Sequence, residues 1–278
     1  MAGIDVLFEL PNDRMYNDDR NLAPFRVETA QNPHCFRFRM VKELEAPTGM
    51  EIMIQPDLRV YKQEDWTVYY IGSVRQSWKS AYIRAAHHGK EHNIQLKTSQ
   101  FPERVGTHTV LNCLQVEHLI AQNGGFVFHT SYINWEGKAI LFTAPSGTGK
   151  STQAELWRKY RGTEIINGDR AAVRIVDDTV WAEGIPFSGS STYCKNVTLP
   201  IAAVVYLQQA PVTTICRLHG VEAFLKIWEG CSINTWDKED MNLVSDAVLK
   251  LVEKVPVYKL ACTPDETAVI ALEQVLRE

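Results

Sequence analysis

No run in the sequence approaches the roughly 18 uncharged apolar residues of a membrane-spanning helix. The first twenty residues, MAGIDVLFELPNDRMYNDDR, carry acids where a secretory signal needs a basic start and an apolar core, so a cytoplasmic protein is expected. Neither a C-x-x-C pair nor a knuckle spacing occurs among Cys35, Cys113, Cys194, Cys216, Cys231 and Cys262, which favours reduced structural thiols over a zinc site or a disulfide framework. Long basic runs are also missing. With 29 Lys and Arg against 33 Asp and Glu, the net charge of −4 offers no electrostatic footprint for nucleic acid or an anionic membrane surface. What is present is an ordinary globular composition of 278 residues, 45% hydrophobic and 22% charged, enough for one large domain or two smaller ones. There is no internal repeat and no low-complexity tract. A small, charge-bearing ligand fits this inventory, and the oligomeric state is left open.

Between Phe25 and about Val110 the pattern favours short strands, FRFRM, EIMIQ, LRVYK, WTVYYIG and NIQLKT, punctuated by Pro, Gly and Asp. A helix is expected over Val110 to Ala121, closed by Asn123-Gly124-Gly125. We place a domain boundary near residue 110, giving a β-rich region 1–110 and a second domain 111–278. Beyond Phe126 strands and helices alternate, the mark of an α/β sheet. The expected elements are FVFHTSYI, KAILFTA, a helix from Lys150 to Tyr160, TEIINGD, the hairpin AAVRIV-DD-TVWAEG and the buried run AAVVYL. Helices near Val221 to Glu229 and Lys238 to Glu253, the strand VPVYKLA and a closing helix Asp265 to Leu276 complete it.

The strongest chemical signal is KAILFTAPSGTGKSTQAELW, an apolar strand running through Ser146-Gly147-Thr148-Gly149-Lys150-Ser151-Thr152 into an amphipathic helix. Glycines let backbone N–H groups turn inward, the helix N-terminus favours anions, Lys150 can neutralise β and γ phosphates, and the Ser151 hydroxyl can ligate Mg²⁺. A nucleotide and magnesium are therefore the expected ligands of these seven residues; the alternative is a Gly-rich turn that holds no phosphate. The strict consensus G-x-x-x-x-G-K-[ST] asks for Gly at position 144, where this chain has Ala; alanine fits if its φ stays negative. A carboxylate is needed next, to hold the metal or activate a nucleophile. Asp169 ends the next strand, 169 − 150 = 19 positions after Lys150, and would lie beside the loop if the strands are adjacent and parallel. The alternative is that Asp169 only terminates a strand in an Asn-Gly-Asp turn. Its neighbour Arg170 suits a phosphate or an ion pair. His129 lies 144 − 129 = 15 positions before Ala144 and, taken alone, reads as a packed strand residue.

In this order and spacing these features resemble the catalytic domain of HPr kinase/phosphorylase and its relatives in the phosphoenolpyruvate-carboxykinase-like P-loop group. The residues carrying the resemblance are His129, Gly137 in NWEGKAILFTA, the loop Pro145 to Ser151, and Asp169 in INGDR, over roughly 124 to 210. It implies an α/β fold with a P-loop core behind the β-rich N-terminal domain. It also implies that Lys150 and Ser151 handle phosphates and metal, with Asp169 as a second metal partner. His129 and Asp169 would form the polar pair that activates an acceptor hydroxyl. Two departures stand out. The family's paired Asp-Asp appears as Gly168-Asp169, and neither the later arginine-glycine signature nor the HPr-gripping C-terminal helix is matched. The resemblance is therefore closer to the HPr-kinase-like proteins of peptide-modification systems.

Among the remaining constellations, His87-His88 with His92 offers imidazoles but is interrupted by Gly89 and Lys90, and reads as an exposed polar turn. The segment Gly184 to Asn196, GIPFSGSSTYCKN, is a polar loop suited to an acceptor, with Lys195 its candidate substrate residue. Asn234-Thr-Trp236-Asp237 reads as a helix N-cap. The expected activity is an ATP- and Mg²⁺-dependent kinase phosphorylating a hydroxyl, a serine in a peptide or a small molecule. The competing reading is a nucleotide-gated peptide-binding module without catalysis. A GTPase is disfavoured by the lack of an N-K-x-D signature.

Overall fold

The structure, a computed structural model, describes residues 1–10, 21–73, 78–86, 89–101, 105, 107–189 and 191–278. By contacts the chain divides into two compact units, Gly3–Gln115 in one and Met1–Ala2 with Val116–Glu278 in the other. Their architecture is mixed α/β, with two mixed sheets and six α-helices among the described residues. No helix among these residues is long and apolar enough to cross a membrane.

The first unit is a seven-stranded sheet made of β1 (Val6–Glu9), β2 (His34–Val41), β3 (Met50–Ile54), β4 (Leu58–Lys62), β5 (Trp66–Ser73), β6 (Trp78–Ala86) and β7 (Glu91–Lys97), ordered β1-β2-β7-β6-β5-β4-β3. The β2 pairings to β1 and β7 are parallel and the others antiparallel. Two strands, β1 and β6, are not expected from the sequence. Period-two alternation buries Phe36 and Phe38 of β2 and Ile94 and Leu96 of β7. His92 is buried as well, its ring stacked on Phe36 at 4.1 Å between centroids. His87 and His88 lie outside the described residues.

The expected helix over Val110 to Ala121 is two helices, α1 (Thr107–Asn112) and α2 (Val116–Gln122). The break is Gln115, whose φ of +50° is left-handed and cannot continue an α-helix. FVFHTSYI is likewise two strands, β8 (Gly125–His129) and β9 (Ser131–Trp135), divided at Thr130. The Thr130 amide donates to the Asp169 carbonyl at 3.0 Å and its hydroxyl to the Phe142 carbonyl at 2.9 Å, so the chain changes partners there.

The second unit continues with β10 (Lys138–Thr143), α3 (Lys150–Arg161), β11 (Glu164–Asn167), β12 (Arg170–Val176), β13 (Thr179–Glu183) and β14 (Thr198–Gln209). After them come β15 (Thr214–Leu218), α4 (Gly220–Trp228), β16 (Cys231–Ser232), α5 (Lys238–Lys254), β17 (Val257–Cys262) and α6 (Glu266–Arg277). The main path of the ten-stranded sheet is β11-β9-β10-β14-β13-β12-β8-β16, with β17 on β14 and β15 on β17. The expected 170–183 hairpin turns at Asp177 and Asp178, both at positive φ as a two-residue hairpin loop requires. Alternate residues of β10 serve opposite cores: Ala139 and Leu141 face the cluster with α5, while Ile140 and Phe142 pack with Trp157 of α3 and Leu272 of α6. Burial on both faces explains why this strand reads as a continuous apolar run.

The adjacency expected for Asp169 is corrected. β9 lies between β10 and β11 and is antiparallel to both, so β10 and β11 run the same way one strand apart. Their C-terminal ends still open at the same edge, where the site is built.

Candidate functional site

At the end of β10 the chain turns through 144–149 into α3. Gly147 and Gly149 have φ of +79° and +120°, and an added Cβ would meet nothing closer than 3.9 Å, so backbone conformation rather than crowding demands glycine there. Ala144 is not among the residues with positive φ, which is why alanine serves where the consensus has glycine. Lys150 is 8% exposed, and its ammonium donates to the Ala144 carbonyl at 3.0 Å. Because that partner is a carbonyl rather than a carboxylate, the ammonium can turn to an anion without breaking an ion pair. Burial pushes the Lys150 amine down from its usual range, with Asp169 opposing.

Asn167, at the end of β11, is fully buried and shapes the next turn. Its side-chain oxygen accepts from the Asp169 and Arg170 amides at 2.9 and 3.0 Å. Its amide nitrogen donates to the Ile185 and Phe187 carbonyls at 3.1 and 3.0 Å. One side chain thereby fixes both the turn that carries Asp169 and the loop that faces it. The Ser151 hydroxyl donates to the Gly168 carbonyl at 3.4 Å, a long bond at the first turn of α3.

Asp169 Oδ1 stands 3.6 Å from His129 Nδ1, an ion-pair distance rather than a hydrogen bond. Its Oδ2 accepts from Arg170 Nε at 3.2 Å, and Arg170 Nη1 lies 3.8 Å from Glu117 on α2. Burial lowers the His129 imidazole below its usual value, the Lys150 charge adds to this, and Asp169 opposes it, which leaves a mainly neutral base at neutral pH. Burial also pushes the Glu117 carboxyl up.

Lys150, Ser151, His129 and Asp169 share one cleft of about 630 Å³, while Asn167, Arg170 and Glu117 stand behind its lining. Ser146, Gly147, Gly149, Lys150, Ser151 and Thr152 form one wall, and His129, Gly168 and Asp169 stand among the other lining residues. Thr148 faces a second cleft of about 630 Å³ on the other side of the loop, with Gln153, Gln209 and Thr263. Lys195 is not in the lining of the first cleft. Its ammonium pairs with Glu164 and its amide donates to the Ile166 carbonyl, which turns the side chain away. The same loop instead contributes Ser188, Ser191, Thr192 and Tyr193.

Sequence reasoning did not single out Asn167, Glu117 or Ser191. An Asn-Gly-Asp triplet signals a side-chain-stapled turn, which makes Asn167 recoverable in principle; Ser191 lies in the polar loop that composition marks, but nothing local picks it from its neighbours, and Glu117 comes from a distant segment with no local signal. A separate cluster, His118, Asp237 and Asp240, brings its ligand-type atoms within 4.8 Å. Its valences are used internally: His118 Nδ1 is 2.9 Å from Asp240, Asn234 donates to Asp240 at 2.9 Å, and Asp237 caps α5 as expected.

Chemically, the helix N-terminus, inward loop, buried lysine and first-turn hydroxyl make a cradle that fits a triphosphate and its Mg²⁺. A carboxylate and a mainly neutral imidazole stand across from it. The sequence pattern of the family SynChlorMet cassette protein ScmC matches residues 94–277, and the chain belongs to this family. No curated protein matches it in sequence. Among solved structures, the Hpr(Ser) kinase/phosphatase from Coxiella burnetii is similar at 9% identity, over 54% of this chain and 93% of that one, with a TM-score of 0.33, too slight to bear on activity.

Proposed function

We propose that this ScmC-family chain is an ATP- and Mg²⁺-dependent kinase with a P-loop core, which transfers the γ-phosphoryl group to a hydroxyl of a peptide serine or a small molecule in the cytoplasm. The observation that carries this reading is the shared cleft, in which Lys150 and Ser151 face His129 and Asp169. In it the loop amides and Lys150 bind and orient phosphate oxygens, while Ser151 and Asp169 would hold a magnesium ion, whose positive charge would offset the developing negative charge. Asp169, aimed by Arg170, takes the acceptor proton, and His129 steers that carboxylate. The loop that carries Ser188 and Tyr193 bounds the acceptor side, and the unit Gly3–Gln115 serves acceptor recognition.

The single carboxylate at Gly168-Asp169 favours a second reading, a nucleotide-gated peptide binder. One experiment separates the two. Full-length protein is incubated with Mg-ATP, free serine and candidate peptides, and products are read by mass spectrometry beside nucleotide binding. Transfer supports the kinase. Nucleotide binding without transfer to any acceptor supports the binder.

A further inference from the structure

The space left by the missing side chain at position 168 is filled. A Cβ on Gly168 would stand 2.2 Å from Ser191 Oγ and 2.6 Å from Ser191 Cβ, so nothing larger than glycine fits unless Ser191 moves. From the same loop Gly189, at φ +55°, closes on the neighbouring carboxylate: its added Cβ would lie 2.7 Å from Asp169 Cγ. A hydroxyl-bearing turn of the chain itself therefore sits against Gly168-Asp169, inside the cleft that Lys150 and Ser151 also line.

The described residues on either side of position 190 are held in place. The Ser191 amide donates to the Ser188 carbonyl at 2.8 Å, Asn167 ties down the carbonyls of 185 and 187, and Tyr193 donates to Glu155 at 2.8 Å. Ser191 Oγ accepts from the Tyr193 amide at 3.1 Å, a bond that leaves the hydroxyl proton unused. Among the described hydroxyls of this loop, Thr192 is exposed and Ser188 is buried with a partner of its own, and Ser191 is the one packed against Gly168.

We propose that Ser191 is a phosphoryl acceptor within its own molecule. The inference rests on the kinase reading above. A bond forms between Ser191 Oγ and the γ-phosphorus of a nucleoside triphosphate. The bond from that phosphorus to the β–γ bridging oxygen breaks, its electron pair leaving with the nucleoside diphosphate. The hydroxyl proton passes to Asp169. The product is a phosphoserine whose negative charge stands beside Asp169 and within the reach of Lys150, so the modification repels the carboxylate and occupies the cleft. Self-phosphorylation would in this way limit transfer to any other acceptor.

The test uses the full chain, stripped of phosphate by a phosphatase and then given Mg-ATP. Intact mass should show one added phosphate, fragmentation should place it on Ser191, and its first-order rate constant should not change on dilution. Phosphate on Ser188, Ser190 or Thr192 instead, or a rate that falls on dilution, overturns the proposal. So does an unphosphorylated chain that binds nucleotide and phosphorylates an added acceptor, a result that leaves the kinase reading standing. A chain that binds no nucleotide overturns both. The site is read from the wild-type fragments, so the outcome does not depend on the folding of Ser191→Ala, which should bind nucleotide and gain no phosphate. A nucleotide-free measurement tests the geometry: Gly168→Ala should displace Ser191 and speed proteolytic nicking of the loop, and unchanged nicking would overturn the packing on which the proposal stands.

Discussion

Among the described residues both units push buried acids up, Tyr70 and Tyr82 in the first and Tyr132 and Glu117 in the second, but only the second sets lowered bases at a cleft. In the first, Tyr70 and Tyr82 have their phenols pushed up by burial, which fixes acids in the neutral form they already hold at neutral pH. Tyr61 shifts the same way, chiefly through its hydrogen bond to Glu51. Their rings pack edge to face, Tyr61 on Tyr70 at 5.9 Å and Tyr70 on Tyr82 at 5.1 Å, as core aromatics do. In the second unit, burial pulls two bases, His129 and Lys150, below their usual values beside a carboxylate in an open cleft. Burying a phenol changes nothing that titrates near neutrality. Burying bases at a cleft gives groups whose charge and proton affinity respond to a ligand, a combination that marks chemistry.

The sharpest way to break this contrast is Lys150→Ala. It should abolish nucleotide binding and transfer while costing only about 1 kcal/mol of stability, because the hydrogen bonds it removes run to backbone carbonyls alone, Ala144 at 3.0 Å and Pro145 at 3.5 Å. Titration of Mg-ATP beside a melting curve checks both. Unchanged affinity would reduce the second unit's shifted lysine to a packing detail. Next in size, Asp169→Asn should leave nucleotide affinity in place and slow transfer by at least about 100-fold, the scale of a general-base effect. Near-normal turnover would move the base to His129.

The legibility of the sequence follows the same division. β10, α3 and the hairpin 170–183 were readable because their signals are local: an apolar run, a glycine loop, and two residues that tolerate positive φ. The break at Gln115 was not, since a glutamine at φ +50° announces nothing in composition and is held by tertiary context. Within the cleft, Lys150 and Ser151 are neighbours in sequence and were read together. The Asp169–Arg170–Glu117 chain joins residues more than 50 positions apart, and only the folded sheet brings them together. Lys195 shows the opposite error, a cation chosen by loop composition whose charge is taken up by Glu164.

A smaller effect sharpens the contrast from the side of the first unit. Tyr70→Phe removes the hydroxyl bonded to the Glu45 carbonyl and keeps the ring. It should cost about 1 kcal/mol in denaturant unfolding. Nucleotide affinity should not move. A change in affinity would show that the tyrosine cluster does more than pack.

The smallest effect concerns a buried pair in the second unit that behaves as structure rather than chemistry. Burial lowers the His118 imidazole, but its hydrogen bond to Asp240 and the charges of Asp240, Asp237 and Glu239 outweigh that and leave it raised. Burial likewise raises the Asp240 carboxyl, and His118 with Asn234 and Gln122 more than reverses it, leaving it lowered. A base with a raised folded value stabilises the fold fully below its unfolded value, near about 6.5, and loses that contribution as pH climbs through the folded value. An acid with a lowered folded value stabilises above about 3.9 and loses its share as pH falls through the folded value. The pair should therefore contribute most in mildly acid solution and fade on the alkaline side of about pH 6.5. His118→Gln should flatten the decline in melting temperature between mildly acid and mildly alkaline buffer without altering nucleotide affinity. If the wild-type and variant profiles stay parallel across that range, the pair contributes nothing through its charge, and α2 is held to α5 by hydrogen bonding and packing alone.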